Sequence, residues 1–550
     1  MRCEVDRAAD RICDLSYTFT AGQSTCSALF PCVELKIMGH SEGARFTRAG
    51  GILFHVTSLP GRFGVGDLGP EAYRFVDFLA AHQQHIWQVL PLGPTSNGVD
   101  YSPYVALSAF AGNPLLISIE ALVEENLLSV TVLDANPALP EGFADYPAAS
   151  GVKTALCRTA SERFTTVANA AQKAAFDEFC HRQQWWLDDY ALFMALRETF
   201  RETSWETWES TVARREDAAL REWRTKLAEE LLYYRHEQFF FFTQWHRLKS
   251  YANQRGVKII GDLPVYIGFD SAEVWAHPEL FQLDPQTNTP QAVAGVPPDY
   301  FSETGQRWGN PLYRWHDEND QLVGEVVDWW LRRIRSTFET VDLVRIDHFR
   351  GFEAYWSIPA NEETAVNGHW VKGPGATLFS RVREILGELP VIAEDLGLIT
   401  PEVDALRLQF GFPGMKVLQF AFDGDAHNPY LPHNYPDSRY AVYTGTHDND
   451  TTLGWFHSAT PEVQASVLHY LDRAHADDLH WQFIRLAFSS IATLAIIPMQ
   501  DVLGLGSEGR MNLPGQPQDN WRWRYLPDAL RPELGARLAE LTAIYGRYAG

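Results

Sequence analysis

Four acidic motifs each follow an apolar run that is rich in β-branched residues. They are Gly-Asp-Leu-Pro at 261–264, Arg-Ile-Asp-His at 345–348, Ala-Glu-Asp-Leu-Gly at 393–397 and Thr-His-Asp-Asn at 446–449. One such motif could be a capping aspartate or a structural ion pair. Carboxylates at the carboxyl ends of different parallel strands, however, converge on the axis of a barrel. Four motifs in strand order therefore predict one acidic catalytic site.

Two of these carboxyl groups have the environments that glycoside chemistry requires, in which one attacks the sugar and the other protonates the leaving oxygen. Arg345 and Asp347 are two residues apart on a predicted strand, so their side chains face the same side. The guanidinium should lower the pKa of Asp347 and keep it charged, as a nucleophile must be. Glu394 follows the apolar run 391–393, where burial and nearby carboxylates should raise its pKa and suit it to acid–base work.

The other polar residues of the motifs have supporting roles in this interpretation. Asp448 would be a third carboxylate that grips ring hydroxyls and stabilises the distorted transition state. His348 and His447 can hydrogen-bond the same sugar, although a structural role for each histidine is the alternative. Asp262 is expected to orient Arg345 or to brace the barrel.

The elements that must position these residues read as alternating strands and helices. The strands are predicted at 51–56, 85–92, 257–263, 341–346, 390–393, 415–422, 440–444 and 495–499, with helices between most of them, such as 324–338 and one that Pro70 opens. This order predicts a closed (β/α)8 barrel. An open doubly wound sheet is the alternative, and the count of eight favours closure.

The spacing of the strands predicts long insertions into one catalytic domain, residues 46–550. The insertions fall at about 94–230, where 206–232 is strongly helical, and at 265–320, which is rich in Pro, Gly, Asp and aromatic residues. Insertions after strands lie on the face where barrels carry their active sites, so they should form subdomains that wall a substrate groove. Residues 1–45 read as a poorly ordered extension, with Met38 as an alternative start.

Composition limits the partners and the compartment. The net charge of -24 repels nucleic acid and anionic membrane surfaces. The chain is rich in aromatic residues, with 18 Trp, 21 Tyr and 32 Phe. Most of them should lie in the core, and some could stack on the apolar faces of sugars. Six cysteines do not make a disulfide scaffold, and we find neither a secretory signal nor a long apolar span. A cytoplasmic enzyme is the expectation.

Three rival interpretations are weaker. Glycine patterns at 64–69 and 504–509 match the dinucleotide fingerprint. The first lies between a strand and a helix, but it begins several residues past the strand, and the second strand does not end in an acidic residue. Pro514 and Pro517 forbid the helix that should follow the second pattern. His55 is not part of a His-x-His pair, so no metal and no cofactor is expected. A catalytically inactive glucan-binding protein would not need Asp347, Glu394 and Asp448 together.

Beyond the acidic motifs, the chain carries further motifs from about Gly50 to Tyr525. They are Val-Leu-Pro-Leu-Gly-Pro-Thr at 89–95, Ser-Pro-Tyr at 102–104, Ser-Ala-Phe-Ala-Gly-Asn-Pro at 108–114, Gly-Val-Pro-Pro-Asp-Tyr-Phe-Ser at 295–302, Gly-Gln-Arg-Trp-Gly-Asn-Pro at 305–311 and Asn-Leu-Pro-Gly at 512–515. With these motifs the chain resembles the 4-alpha-glucanotransferases known as amylomaltases or disproportionating enzymes, in the alpha-amylase clan.

The resemblance implies a retaining transfer of alpha-1,4-glucan segments from a donor maltodextrin to an acceptor glucan or glucose, through a covalent glycosyl-Asp intermediate. Asp347 would be the nucleophile, Glu394 the acid and base, and Asp448 the stabiliser. It also implies a barrel without a C-terminal β-domain. The residues expected to bind substrate are Tyr101, Ser102, Tyr104, Asp262, Tyr300, Phe301, Trp308, Arg345, His348, His447 and Asn512.

Within that set, the resemblance assigns Tyr104 to stacking on the sugar at the cleavage point. It assigns Tyr300 and Phe301 to a loop that covers the acceptor side, with Trp308 nearby. Transfer instead of hydrolysis requires that water be kept from the intermediate while an acceptor glucan binds. The residues alone leave open whether the loop 297–301 does this or is merely structural. The resemblance favours the acceptor role.

Overall fold

The computed structural model describes residues 46–136, 138–298, 302–516 and 518–548. The predicted extension at 1–45 and the predicted acceptor-side residues Tyr300 and Phe301 lie outside these ranges. The described strands are β1 Ala49–Leu53, β2 Ile86–Gln88, β3 Lys258–Pro264, β4 Ala292–Val296, β5 Gln306–Pro311, β6 Leu343–Asp347, β7 Ala354–Pro359, β8 His369–Lys372, β9 Val391–Ala393, β10 Gly414–Val417, β11 Tyr440–Tyr443 and β12 Leu494–Pro498.

Helices connect and cover these strands. They are α1 Pro70–Ala81, α2 Ile119–Glu124, α3 Thr131–Ala135, α4 Tyr146–Val167, α5 Ala170–Thr199, α6 Ser210–Ala213, α7 Asp217–Lys226, α8 Ala228–Gln254, α9 Ala272–Ala276, α10 Gly324–Thr340, α11 Gly375–Leu386, α12 Pro401–Gln409, α13 Thr452–Ser458, α14 Pro461–Tyr470, α15 Leu479–Ser489, α16 Met499–Leu503 and α17 Pro532–Ile544. Pro70 opens α1, as predicted, because a missing N–H costs nothing in the first turn.

Eight parallel strands form the barrel in the order β10-β11-β12-β1-β2-β3-β6-β9. The Ala393 N–H donates to Pro413 O at 2.9 Å, which joins β9 to the start of β10 and closes the ring. The strands are apolar because helices cover the barrel outside and side chains fill it inside. β12, for example, is buried along its whole length. The predicted (β/α)8 barrel is confirmed.

Two predicted strands are shorter than their apolar runs. β2 ends at Gln88, where 85–92 was expected, and β10 ends at Val417, where the chain enters a 3-10 helix at Leu418–Ala421. Val89 and Leu90 are nonetheless buried, with exposures of 0% and 1%. Apolar runs therefore predict burial at these places, whereas the hydrogen-bonded ladder ends earlier.

A second, antiparallel sheet, which the sequence did not predict, has the order β5-β4-β7-β8. It combines residues from the segments that follow β3 and β6, and Val293, Ile358 and Ala365 form its small core. Gly295 is needed within β4, because a Cβ there would lie 2.1 Å from Gln306 O on β5. After β12 the described residues form α16 and α17 and add no strand to either sheet.

The segment between β2 and β3 contains helices α2 to α8. The predicted helical stretch 206–232 is not continuous: α6 and α7 are separated near Arg215, which has a left-handed φ of 56°. A buried ion pair holds this segment against the barrel, since Lys153 on α4 donates to Asp67 Oδ2 at 2.6 Å. Lys153 also donates to Leu115 O and Ile117 O, both at 2.9 Å, so its ammonium is fully hydrogen-bonded.

Replacing Lys153 with methionine should destabilise the fold by about 3 kcal/mol or more, because it leaves the Asp67 carboxylate buried without its cation. Urea unfolding would measure this loss. The matched control is Lys226→Met, whose exposed pair with Glu222 should contribute less than about 1 kcal/mol. Equal losses in the two variants would contradict the importance of the buried pair.

Candidate active site

The predicted catalytic carboxylates meet at the carboxyl ends of the barrel strands. Asp347 ends β6, Glu394 directly follows β9, and Asp448 lies in the loop after β11. All three line a single cleft of about 540 Å³. Parallel strands bring their carboxyl ends to one face, so the spacing along the sequence translates into proximity in space.

Arg345 links two of the motifs. Its guanidinium donates to Asp262 Oδ2 at 2.6 Å through Nη1 and to Asp347 Oδ1 at 2.9 Å through Nη2. The Asp262 side chain is fully buried, whereas 29% of the Asp347 side chain is exposed toward the cleft. Asp262 thus fixes the guanidinium from the buried interior of the barrel, and Asp347 presents an accessible oxygen to the cleft.

Glu394 is oriented by two backbone donors. The N–H of His348 donates to its Oε2 at 2.7 Å, and the N–H of Leu396 donates to its Oε1 at 2.8 Å. His348 has a left-handed backbone with φ of 52°, which is uncommon outside glycine and turns its N–H toward the carboxyl. A tight turn after β6 therefore couples the residue beside Asp347 to Glu394.

The pKa values of both carboxyl groups are raised by the site. The cleft walls exclude enough water that burial raises the pKa of Asp347 to about 8, although Arg345 opposes the rise. Burial likewise raises the pKa of Glu394, although Arg345 and the two backbone N–H donors oppose the rise. The predicted net lowering of the Asp347 pKa is wrong, because burial outweighs the guanidinium. The two groups share a proton near neutral pH, and its loss is a property of the pair.

We expect the alkaline limb of kcat/KM for maltotriose to lie near pH 8, several units above the pKa of about 4.3 of a free glutamate. Activity needs one proton on the pair, so the rate falls as that proton leaves. In Asp262→Asn the limb should move to lower pH, because the Asp262 charge raises the pKa of Asp347. A pH–rate profile of both proteins measures this. A limb near pH 4 in the wild type would contradict the raised pKa.

Asp448 is held by two residues of one later segment. Asn512 Nδ2 donates to Asp448 Oδ1 at 2.6 Å, and Arg510 Nη2 donates to the Asp448 carbonyl at 2.8 Å. The ring of His447 lies beside them, with Nε2 at 3.3 Å from Asp448 Oδ1. The 45% exposure of the Asp448 side chain leaves it open to a ligand in the cleft.

An aromatic platform forms the floor beside these groups. The ring of Tyr104 stacks on that of His447 at 5.0 Å and 16°, and its hydroxyl donates to Asp262 Oδ2 at 2.6 Å. Ser102 shapes the approach, since its Oγ accepts from the Tyr104 N–H at 3.3 Å. Burial lowers the pKa of His348 to about 3 and also lowers that of His447, so both rings are neutral at neutral pH.

The second sheet contributes two tryptophans to the cleft. Trp308 on β5 and Trp370 on β8 are each 38% exposed, which is high for so large an apolar side chain. Trp308 meets the ring of His348 edge-on at 4.8 Å, and Trp370 lies 3.7 Å from the Arg350 guanidinium. Such open aromatic faces suit the apolar C–H faces of sugars.

The structure does not bring every predicted residue to the cleft. Tyr101 does not line it and instead stacks on Tyr146, with ring centroids 4.6 Å apart. The cleft residues that sequence reasoning missed include Trp370 and Trp521. It also missed Arg510, which does not line the cleft but donates to the Asp448 carbonyl. A signal for Arg510 existed, because it lies two residues before the Asn-Leu-Pro-Gly motif. Trp370 and Trp521 lie in stretches without apolar periodicity.

The described ranges contain neither a metal-binding cluster nor a membrane-spanning helix. Within them, no group of three or more His, Cys, Asp and Glu side chains is arranged to hold a metal ion. None of the helices in the same ranges is long and apolar enough to cross a membrane.

Comparison with known proteins gives consistent matches. The family model described as 4-alpha-glucanotransferase matches residues 54–529. A 4-alpha-glucanotransferase of Synechocystis is 51% identical over 501 residues, which is 91% of this chain and 98% of the relative. One from Thermus thermophilus is 52% identical over 497 residues, 89% of this chain and 97% of the relative.

A solved structure agrees with these matches. The amylomaltase from Streptococcus agalactiae, in complex with acarbose, is 40% identical to this chain. It superposes with a TM-score of 0.86, and the match covers 91% of this chain and all of the other, 100%. The amylomaltase from Corynebacterium glutamicum, at 19% identity and a TM-score of 0.73, shares the fold.

Proposed function

Because the chain belongs to the 4-alpha-glucanotransferase family, we propose that Asp347, Glu394 and Asp448 carry out its reaction through a covalent glycosyl-Asp347 intermediate. The activity is the transfer of alpha-1,4-glucan segments, and alpha-1,4-glucans are the substrates. The observation that carries the assignment is that the three carboxylates line one cleft while Asp347 is ion-paired with Arg345 at 2.9 Å.

In the first step, an ionised oxygen of Asp347 attacks the anomeric carbon and forms an ester. The bond to the leaving oxygen breaks, and Glu394 donates its proton to that oxygen. The shared proton belongs on Glu394 for this step, since Asp347 alone has the guanidinium contact that favours its charge. Arg345 and Asp262 position the nucleophile, and the two N–H donors position the acid.

In the second step, the 4-hydroxyl of an acceptor glucan attacks the anomeric carbon of the glycosyl ester from the face that the leaving group vacated, and the bond between that carbon and Asp347 breaks. The Glu394 carboxylate takes the hydroxyl proton, and Asp347 is released as a carboxylate. Two inversions give retention of configuration. Asp448 hydrogen-bonds ring hydroxyls of the distorted sugar in both steps. Its Oδ1 is held by a hydrogen bond from Asn512 Nδ2 at 2.6 Å.

Transfer prevails over hydrolysis when a glucan acceptor replaces water next to the intermediate. The open faces of Trp308 and Trp370 support this role, because they offer an acceptor sugar two stacking surfaces at the rim of the cleft. Tyr300 and Phe301 remain part of the proposal for the acceptor side on the basis of their motif. Tyr104, His447 and His348 are proposed to contact the sugar at the cleavage point.

The assay that tests this function uses maltotriose as the only substrate, with EDTA present and no added cofactor. We expect glucose together with a ladder of longer glucans, because one maltotriose acts as donor and another as acceptor. Glucose and maltose without longer products would mean hydrolysis and would overturn the acceptor-side argument. The absence of any product would overturn the function itself.

The domain organisation and the compartment are also proposals. We infer one catalytic domain from residue 46 to residue 550, with the insertions at about 94–230 and 265–320 walling the cleft and residues 1–45 as an extension. A cytoplasmic location is supported by Cys157 and Cys180, which are unpaired thiols, since oxidising compartments favour disulfides.

A further inference from the structure

The loop that carries His447 and Asp448 is short and has no regular secondary structure. It runs from residue 445 to residue 451, between Thr444, which directly follows β11, and Thr452, the first residue of α13. A cavity of about 30 Å³ lies against the loop and is lined by Thr446, His447, Asn449, Asp450 and Thr451. Because the loop is not closely packed on that side, its position depends on hydrogen bonds.

Asp501 joins the two ends of this loop. It lies on α16, which directly follows β12, and it is only 1% exposed. Its Oδ2 accepts hydrogen bonds from the hydroxyls of Thr444 and Thr452, the second at 2.8 Å. Its Oδ1 accepts from the Thr452 N–H at 2.7 Å. One carboxyl group therefore fixes the residue that enters the loop relative to the residue that leaves it.

The burial of Asp501 has a cost that the fold alone does not explain. Burial raises its pKa, and no Lys, Arg or His of the described ranges forms an ion pair with it. It does not line the catalytic cleft, so it cannot contact a sugar there. Burying a carboxyl group without a cation is unfavourable, and the three hydrogen bonds to the loop ends are what it gains in return.

The middle of the loop is held from the neighbouring strand on the other side. Gln419, in the 3-10 helix after β10, donates from Nε2 to the Asp450 carbonyl at 2.8 Å. Since β10 and β12 flank β11 in the barrel, groups that follow both neighbours hold the loop. The Asp448 side chain itself is 45% exposed, so the place of its carboxylate follows the backbone of the loop.

We propose that Asp501 is a positioning residue for Asp448. By tying Thr444 to Thr452, it holds the loop in the shape that presents the Asp448 carboxylate to the sugar. A displacement of about 1 Å can cost about 10²-fold in rate when a contact acts in the transition state. This inference rests on the proposed role of Asp448 in stabilising the distorted sugar. A loosened loop should therefore lower kcat more than it changes KM.

The test uses two variants of the full-length enzyme with maltotriose as substrate. Thr444→Val replaces one hydroxyl with a methyl group of similar size and loosens one end of the loop, whereas Asp501→Ala releases both ends. We expect kcat to fall about 10-fold in Thr444→Val and about 10²-fold in Asp501→Ala, with KM within about 3-fold of the wild type. If Asp501→Ala does not fold, Thr444→Val alone decides the question.

The matched control is Thr542→Val on α17. Thr542 is as fully buried as Thr444, and its hydroxyl accepts from Gln84 Nε2 at 3.0 Å, far along the chain from the loop. This variant should lose a similar buried hydrogen bond and keep the kcat and KM of the wild type. A fall in kcat equal to that of Thr444→Val would mean that any such loss impairs the enzyme, which would overturn the proposal.

A double-mutant cycle separates positioning from a general structural role. In an Asp448→Asn background, Thr444→Val and Asp501→Ala should lower kcat no further, because the contact that they position is already lost. Losses that add to that of Asp448→Asn would overturn the proposal, as would a wild-type kcat in both single variants. Wild-type activity of Asp448→Asn alone would instead refute the proposed role of Asp448, and this inference with it.

Discussion

Asp347→Asn should lower kcat/KM for maltotriose by about 10⁴-fold or more, because it removes the atom that bonds to the sugar. No other group in the cleft can replace it. Asp448 is held by Asn512, and Glu394 is oriented by backbone N–H groups and acts as the acid. Initial rates of glucose release measure the loss. Asp437→Asn, at a partly exposed aspartate outside the cleft, should have wild-type activity.

The same variant separates catalysis from stability. Because burial raises the pKa of Asp347 to about 8, the folded protein keeps a proton on the coupled pair of Asp347 and Glu394 that an unfolded chain, with an Asp pKa of about 3.9, has already lost. The resulting penalty grows as pH rises between these values. Asp347→Asn should therefore unfold at a temperature no lower than the wild type at pH 8. A lower Tm together with low activity would mean that the residue is structural.

Glu394→Gln should lower kcat/KM for maltotriose by about 10³-fold, since the leaving oxygen then departs without a proton. The loss should depend on the leaving group. An alpha-maltosyl fluoride donor releases fluoride, which needs no proton, so its release rate should fall far less. Fluoride release and glucose release are measured side by side.

The control for this experiment is Asp347→Asn, which should lose activity with both donors because the nucleophile is needed in either case. Equal losses with the fluoride and with maltotriose in Glu394→Gln would contradict the assignment of Glu394 as the acid. Such a result would leave it a role in positioning, through its contact with the His348 N–H at 2.7 Å.

The barrel and the three carboxylates were predictable because their signals are local. Each barrel strand is a short apolar run, and each carboxylate follows its run directly, as Asp347 follows the apolar part of β6. The second sheet was not predictable in this way. β5 is mostly exposed and carries Gln306, Arg307 and Trp308 in sequence, and its sheet depends on β7, about fifty residues later along the chain.

The electrostatic interactions of the site also include some that the sequence predicts and others that it does not. The contact between Arg345 and Asp347 follows from their spacing on one strand, and it is present at 2.9 Å. The direction of the Asp347 pKa depends on how deeply the later segments bury the site, which spacing does not encode. Tyr101 is a similar case, since its left-handed φ of 56° turns it toward Tyr146 and away from the cleft.

The central claim is a covalent bond between the sugar and Asp347. The most direct test incubates Glu394→Gln with a 5-fluoro-alpha-glucosyl fluoride, which forms the intermediate but releases it slowly, and then maps the modified peptide by mass spectrometry. We predict one added glycosyl group on Asp347, which maltose as acceptor discharges only slowly, because the variant lacks the base that takes the acceptor's proton. An adduct on Asp448 or another residue, or the absence of any adduct while fluoride is released, would contradict it.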